Sequence, residues 1–311
     1  TSTLTITVNP VNDAPVLNNV PVLSLSVAED AGLPSGAVGM AISSFTGGIS
    51  DVDTGAVKGI TITGSVATGG TWYYTTNGGA TWTAVGGVSS ASSLLLADNA
   101  STRLYFAPTL NYNGTVASSL TIRGWDQSTG TAGSKVSTAT TGGSSAFSTA
   151  TDTIAVTVTA VNDAPVNALP TGFTTSEDVA LRLTGATAAT RLSVSDVDAG
   201  TGVFTVTLSV SSGMLTATAG GSVTVGGSGT NTLTLSGTLA NINSYLASNT
   251  RAPLFTPAAN TSGSVTLTLT TSDNGNTGGA AQVDTDTRTI VVNPVNDAPV
   301  LSNAPVLSLT V

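Results

Sequence analysis

The sequence predicts an all-β protein built from tandem antiparallel sandwiches, on three observations. Only 8% of the 311 residues are charged, and Thr, Ser, Gly, Val, Leu and Ala dominate, which favours strands and turns over helices. Apolar and polar residues alternate with period two near 21–27, 57–63, 71–75, 80–85, 180–183, 203–210, 214–218 and 231–236. The motif Val-Asn-Asp-Ala-Pro-Val recurs at 11–16, 161–166 and 295–300, and such repetition marks a modular array.

The spacing defines segments of 150 and 134 residues, each long enough to bury one domain core. Residues 9–17 are identical to 293–301, so two related domain types alternate. Residues 1–10 therefore read as the last strand of a preceding repeat, 11–160 as a type A sandwich and 161–294 as a type B sandwich. Residues 295–311 read as a linker and the first strand of the next type A repeat. The chain carries no signal peptide and starts within a strand pattern, so it reads as part of a longer protein.

Within each domain, a Phe-x-Pro segment (Phe106 and Pro108; Phe255 and Pro257) leads through a loop ending at Gly114 or Gly263 into a long strand, 115–123 or 264–271. Each long strand reaches an Asp, Asp126 or Asp273, and a last strand follows at 152–158 or 286–292. Asn77-Gly78-Gly79 supplies a hairpin turn, with Trp72 and Trp82 expected as same-face core aromatics on the paired strands. Residues 239–246 have apolar positions at helical spacing and predict one short helix. Short strands, turn signals and the lack of a cofactor motif point to a Greek-key sandwich.

Composition excludes several functions. Without His or Cys there are no disulfides, no imidazole or thiolate metal sites and no Ser-His-Asp or Cys-His catalytic groups. Eight basic residues against a net charge of −9 leave no basic stripe for nucleic acid or an anionic membrane surface. No apolar run approaches the roughly 18 residues of a membrane-spanning helix, so no membrane insertion is expected.

The acids are the informative residues. Of seventeen carboxylates, all but Asp98 fall in motifs that recur at matching places. The two glutamates, Glu29 and Glu177, each open a Glu-Asp pair 17 and 15 residues after an Asn-Asp pair. Alternating strand direction puts Glu29 at one end of its domain and Asp51, Asp53 and Asp126 at the other. Stacked domains would then gather Glu29, Asp30, Asn162, Asp163, Asp196, Asp198 and Asp273 at one junction. Carboxylates about 5 Å apart repel by roughly 3 kcal/mol at an effective dielectric constant of about 20, so such a junction calls for a cation. Calcium, which takes about six to eight hard oxygens in flexible geometry, suits these groups better than magnesium.

An isolated D-x-D is usually a turn, and an isolated N-D-A-P a linker; the shared order across two domains is what favours calcium. Asp152 and Asp286 read first as turn residues, Asp98 and Asp284 as solvated, and Asp30 and Asp178 stay open between ligand and turn.

These motifs resemble cadherin-type repeats, and more closely the bacterial cadherin-like tandem repeats, of V-N-D-A-P linker type, in giant secreted adhesins and biofilm-associated surface proteins. The resemblance covers nearly all of residues 11–300. It implies cadherin-like, immunoglobulin-like sandwiches in linear array with Ca2+ bound between successive domains. It assigns metal-ligand roles to the linker pairs Asn12 and Asp13, Asn162 and Asp163, and Asn296 and Asp297. It extends them to Glu29 with Asp30, Glu177 with Asp178, Asp51 with Asp53, Asp196 with Asp198, and to Asp126 and Asp273. The family linker's first acid is replaced here by Asn9, Thr159 and Asn293, and the acidic motif before the sixth strand by the loops 108–114 and 257–263. These departures imply one or two ions per junction rather than three.

The expected function is a calcium-rigidified spacer in an extracellular adhesin or fibre at the bacterial cell surface, partnered by neighbouring repeats of the same chain. Two alternatives stand beside it. One is a self-assembling filament subunit that pairs with identical chains through the strand-like segments 1–8 and 301–311. The other is a carbohydrate-binding module that stacks sugars on Trp72, Tyr73, Tyr74, Trp82 and Trp125. No enzyme is expected, because the i, i+2 carboxylates sit in polar loops without the apolar pocket that raises one pKa for glycoside hydrolysis.

Overall fold

The computed structural model describes residues 3–18 and 23–299; the expected strand at 301–311 and the start of the one at 21–27 lie outside them. The chain forms two compact units that meet in sequence between Val161 and Asn162.

In the first unit a six-stranded sheet runs Lys135–Val136, Ser93–Ala97, Gly59–Ser65, Gly114–Trp125, Asp152–Thr159, Leu23–Ala28. Opposite it lies a four-stranded sheet of Met40–Ala41, Arg103–Pro108, Gly70–Thr75 and Thr83–Ala84. Period-two alternation turns Leu23, Leu25, Ile60, Ile62, Leu120 and Ile122 inward, where they meet Trp72, Leu104 and Phe106 in one core. Pairing is antiparallel within these sheets except where first and last strands run parallel, from Ile154 opposite Leu23 to Thr159 opposite Ala28. That exception brings the residues after both strands, Glu29 and the Val161 linker, to the same end of the unit.

Ser93–Ala97 is buried on both faces. The outer face is covered by the connection 127–151, which builds a second small core from Leu95, Ala97, Trp125, Ala146 and Phe147. Trp125 lies on bare backbone at Gly59, where a Cβ would stand 2.8 Å from its ring and 2.7 Å from the Leu96 carbonyl oxygen.

The second unit repeats the plan with a sheet of Phe173–Ser176, Val283–Asn293, Gly263–Ser272, Val203–Val210, Thr232–Thr238 and Thr224–Gly226. It faces a three-stranded sheet of Leu181–Arg182, Leu254–Thr256 and Met214–Thr216. Its first and last strands are again parallel, from Phe173 opposite Ile290 to Ser176 opposite Asn293. The short helix forms at Leu239–Leu246; the Thr238 side chain caps it by accepting from the Asn241 N–H, and Ile242, Tyr245 and Leu246 are buried.

The aromatic expectation needs correction. Tyr73 pairs with Ala84 and Tyr74 with Thr83, a register that puts Trp82 on the face opposite Trp72. Trp72 is a core residue, edge-on to Phe106 at 5.2 Å, with its indole N–H donated to Ser119 Oγ at 2.7 Å. Trp82, outside any strand, meets Tyr105 at 6.0 Å and donates to the Gly36 carbonyl. Trp72 and Trp125 are both buried, so the five aromatics form no single exposed stacking face.

Trp125→Ala empties a site that the 127–151 connection closes, and we expect it to cost about 3–5 kcal/mol. The urea midpoint of the first unit, expressed alone, measures it.

Candidate metal centre

Each unit presents the same constellation at the end where its linker enters. In the D-V-D motif the first carboxylate reaches forward to the backbone of the second Asp: Asp51 Oδ1 accepts from the Asp53 N–H at 2.9 Å, and Asp196 Oδ1 from the Asp198 N–H at 3.0 Å. Val52 and Val197 between them point outward, 80% and 64% exposed, so both acids face the unit. The second carboxylate then holds the linker backbone. Asp53 Oδ2 accepts from the Asp13 N–H at 2.8 Å and Asp198 Oδ2 from the Asp163 N–H at 3.3 Å.

The linker asparagine reaches the acid at the end of the long strand. Asn12 Nδ2 donates to Asp126 Oδ2 at 2.9 Å, and Asn162 Nδ2 donates to Asp273 Oδ2. These two aspartates are buried, yet their other oxygens are also satisfied: Asp126 Oδ1 by the Ser128 N–H, Asp273 Oδ1 by the N–H groups of Gly275 and Gln282. Asn12, Asp51, Asp53 and Asp126 line one cleft of about 230 Å³ together with Gln127 and Ser128.

In each D-V-D motif one oxygen of the first acid receives no N–H or O–H donor. Asp51 Oδ2 and Asp196 Oδ2 are buried without a hydrogen bond, at equivalent positions. Burial, above all, pushes the Asp196 carboxyl up to about 7; hydrogen bonding with the Asp198 side chain and the charges of Asp198 and Asp273 add to it, while the Asp198 N–H opposes it. Among the described residues no three acidic side chains converge as a preformed metal cluster. Each end is instead a run of carboxylates linked through amide hydrogens, with an orphan oxygen in the middle. The donors are hard oxygens throughout, the chemistry a calcium ion takes.

The glutamates lie at the opposite end. Glu29, 3% exposed, continues the parallel ladder by donating its N–H to the Thr159 carbonyl; its Oε1 accepts from the Val161 N–H at 2.6 Å and its Oε2 from Asn113 Nδ2 at 3.0 Å. Glu177 does the same with the Asn293 carbonyl and the Val295 N–H, at 2.9 and 2.7 Å. Asp30 and Asp178 occupy left-handed backbone, φ 61° and 63°, a conformation that Asp tolerates, and Asp30 holds the distant 109–113 loop by accepting from the Asn111 N–H. Both therefore act first as turn residues. Asn296 and Asp297 are exposed, the Asn296 amide donating to the Asp297 carbonyl.

Two acids expected to be solvated are bonded. Asp98 accepts from Thr46 Oγ1 at 2.6 Å, and Asp284 accepts from the Asn167 N–H at 2.7 Å. Asn113 was not foreseen as a Glu29 partner; its signal was the polar loop standing where the family pattern has acids. Buried Asn167, bonded also to Thr271 Oγ1 and the Leu269 carbonyl, had no sequence signal at all.

No protein-family model matches the chain, and no curated protein matches it. Among solved structures it is similar to the protocadherin GammaB4 extracellular domain, at 15% identity and TM-score 0.42, over 93% of this chain and 34% of that one. An endo-fucoidan hydrolase of glycoside hydrolase family 107 follows at 19% identity and TM-score 0.25, over 93% of this chain and 30% of that one. Drosophila N-cadherin EC1-4 is matched at 9% identity and TM-score 0.20, over 91% of this chain and 51% of that one. The chain thus spans about a third of the protocadherin chain's length. The sandwich architecture itself rests on the strand pairing above.

The raised Asp196 carboxyl sets a pH dependence for metal-free protein. Between about 4 and 7 the folded second unit binds more protons at this site than the unfolded chain, so this contribution to stability falls as pH rises through that window. Thermal melts of the second unit in chelator should show a lower midpoint at pH 7.5 than at pH 5 relative to Asp196→Asn, which removes the slope. Equal slopes in the two proteins would refute the assignment.

Proposed function

We propose that this chain is a calcium-rigidified structural spacer from a large extracellular bacterial adhesin or surface fibre, not an enzyme. The observation that carries the reading is a repeated one: Asp51 Oδ2 and Asp196 Oδ2 are both buried without a donor, at equivalent places in the two D-V-D motifs.

In the first unit Asn12, Asp13, Asp51, Asp53 and Asp126 are the residues that would hold the ion, and in the second Asn162, Asp163, Asp196, Asp198 and Asp273. Asn296 and Asp297 would serve the next repeat in the same way. Bound calcium supplies the positive charge that eight basic residues elsewhere in the chain do not bring to these acids. Within each unit the linker backbone is already gripped, by Asp53 or Asp198 where it enters and by Glu29 or Glu177 where it leaves. An ion on the same acids strengthens the grip, and a stiff linker is what a spacer requires. The further expectation, that Glu29 pools its oxygens with Asn162, Asp163, Asp196, Asp198 and Asp273 on shared ions, belongs to this proposal. Neighbouring repeats of the same chain are the partners it implies, with the bacterial surface as location.

Extracellular calcium modules bind at about 10⁻⁴–10⁻³ M. At ten times the dissociation constant one ion stabilises its unit by about 1.4 kcal/mol, about 3–5 °C in melting temperature for a domain of this size. Calorimetric titration should detect calcium binding that Asp51→Asn and Asp196→Asn weaken in their own units. Asp286→Asn, at an exposed strand position, should leave affinity unchanged. Small-angle scattering with and without chelator tests the mechanical claim: a maximum dimension indifferent to calcium would refute stiffening even if ions bind.

A further inference from the structure

We infer that a cleft in the second unit, formed where the Leu181–Arg182, Met214–Thr216 and Leu254–Thr256 strands meet the turn after the helix, binds a sugar carrying one anionic group, a uronate or a sulfated hexose. It is separate from the acidic ends and does not depend on calcium.

The cleft measures about 250 Å³, enough for one sugar ring, and holds two of the chain's six arginines, Arg182 and Arg251. In a chain of net charge −9 that concentration of positive charge is unusual, and no carboxylate lines the cleft. The Arg182 guanidinium donates Nη1 to the Ala252 carbonyl, a bond that orients it without neutralising it. Arg251 lies against the Gly220-Gly221 turn, where a Cβ on Gly221 would stand 2.9 Å from Nη1 on a backbone at φ +63°. A bare glycine backbone thus makes room for this guanidinium. Both side chains line the same cleft, beside Thr216, Thr218 and Thr250.

Guanidinium groups recognise carboxylate and sulfate through paired N–H donors. The remaining wall carries hydroxyls from Thr216, Thr218, Ser228 and Thr250, which match sugar hydroxyls rather than an apolar ligand. The acidic surface elsewhere is screened within about 8 Å at physiological salt, so a singly charged sugar is admitted where a long polyanion is repelled. A carboxylate from a second copy is the weaker candidate: Asp53, Asp126, Asp198, Asp273, Glu29 and Glu177 are committed to hydrogen bonds in their own units, which leaves exposed acids such as Asp286 and Asp297 to reach a partner.

The test is titration of the full chain, in chelator to exclude calcium-bridged binding, with glucuronate, galactose 6-sulfate, glucose and inorganic sulfate, followed by calorimetry and amide chemical shifts. The expected result is saturable binding of the charged sugars, at least tenfold weaker binding of glucose, and shifts centred on Thr216, Thr218 and Arg251. Arg251→Ala, at an exposed position, should weaken binding at least tenfold, with partial recovery in Arg251→Lys. Unchanged affinity in Arg251→Ala, or glucose binding as well as glucuronate, would overturn the site. Sulfate binding as tightly as the sugars would reduce it to a bare anion site and overturn the sugar assignment. Arginine-dependent self-association by sedimentation, without sugar binding, would replace it with a contact between copies.

Discussion

Buried negative charge with almost no positive charge to meet it is the constraint from which the rest of this structure follows. Glu29, Asp126, Glu177 and Asp273 are each at most 7% exposed, in a chain with eight basic residues. Their partners are amide hydrogens, and the linker provides one for each: the N–H groups of Val161 and Val295, and the side-chain amides of Asn12 and Asn162. A hydrogen bond to a charged group is worth about 1.5–3 kcal/mol, and leaving a buried charge unmet costs more. The linker is thus ordered by the acids' own requirement for donors. Its Pro, which fixes φ and has no N–H, adds direction to that hold.

The parallel pairing of first and last strands is the backbone side of the same constraint. Because Leu23–Ala28 and Asp152–Thr159 run together, Glu29 arrives beside Val161, its backbone extending the ladder and its side chain continuing it for one more link. The second unit reproduces this with Glu177 and Val295, so the glutamate is placed by register rather than by a special loop. The units differ in what supports it. Asn113 donates to Glu29 in the first, whereas the corresponding place in the second holds Ser262, a shorter side chain.

Much of this was legible because alternation and repetition leave strong traces. The strand at Val203–Val210 and the helix at Leu239–Leu246 fall where the period predicts, and the recurrence of Asn-Asp and D-V-D identifies groups that come together in each unit. What was not legible depends on contacts that have no period. Trp82 was misplaced because hairpin register, set by the long turn after Thr75, decides the face, and residue spacing across a turn does not. The second small core around Trp125 was missed because its Ala146 and Phe147 sit in an irregular connection that bears no strand pattern. Asp98 and Asp284 appeared unpartnered in sequence since their donors, Thr46 and the Asn167 backbone, are 52 and 117 residues away.

The acidic ends also explain why amide donors alone do not complete the design. An N–H group brings only a fraction of a charge, enough to fix the direction of a carboxylate but not to offset several of them in one place. The second unit shows the deficit: Asp196 receives the Asp198 N–H and still stands at about 7, because burial and the neighbouring Asp198 and Asp273 outweigh one donor. Two species can relieve that site, a proton or a cation. A proton satisfies one oxygen and leaves the other acids as they were, whereas a divalent ion addresses all of them and keeps the amide hydrogens free to hold the linker. Under the proposed calcium reading the second would be the more effective solution near neutral pH, and linker order would then respond to the ion supply as well as to the sequence.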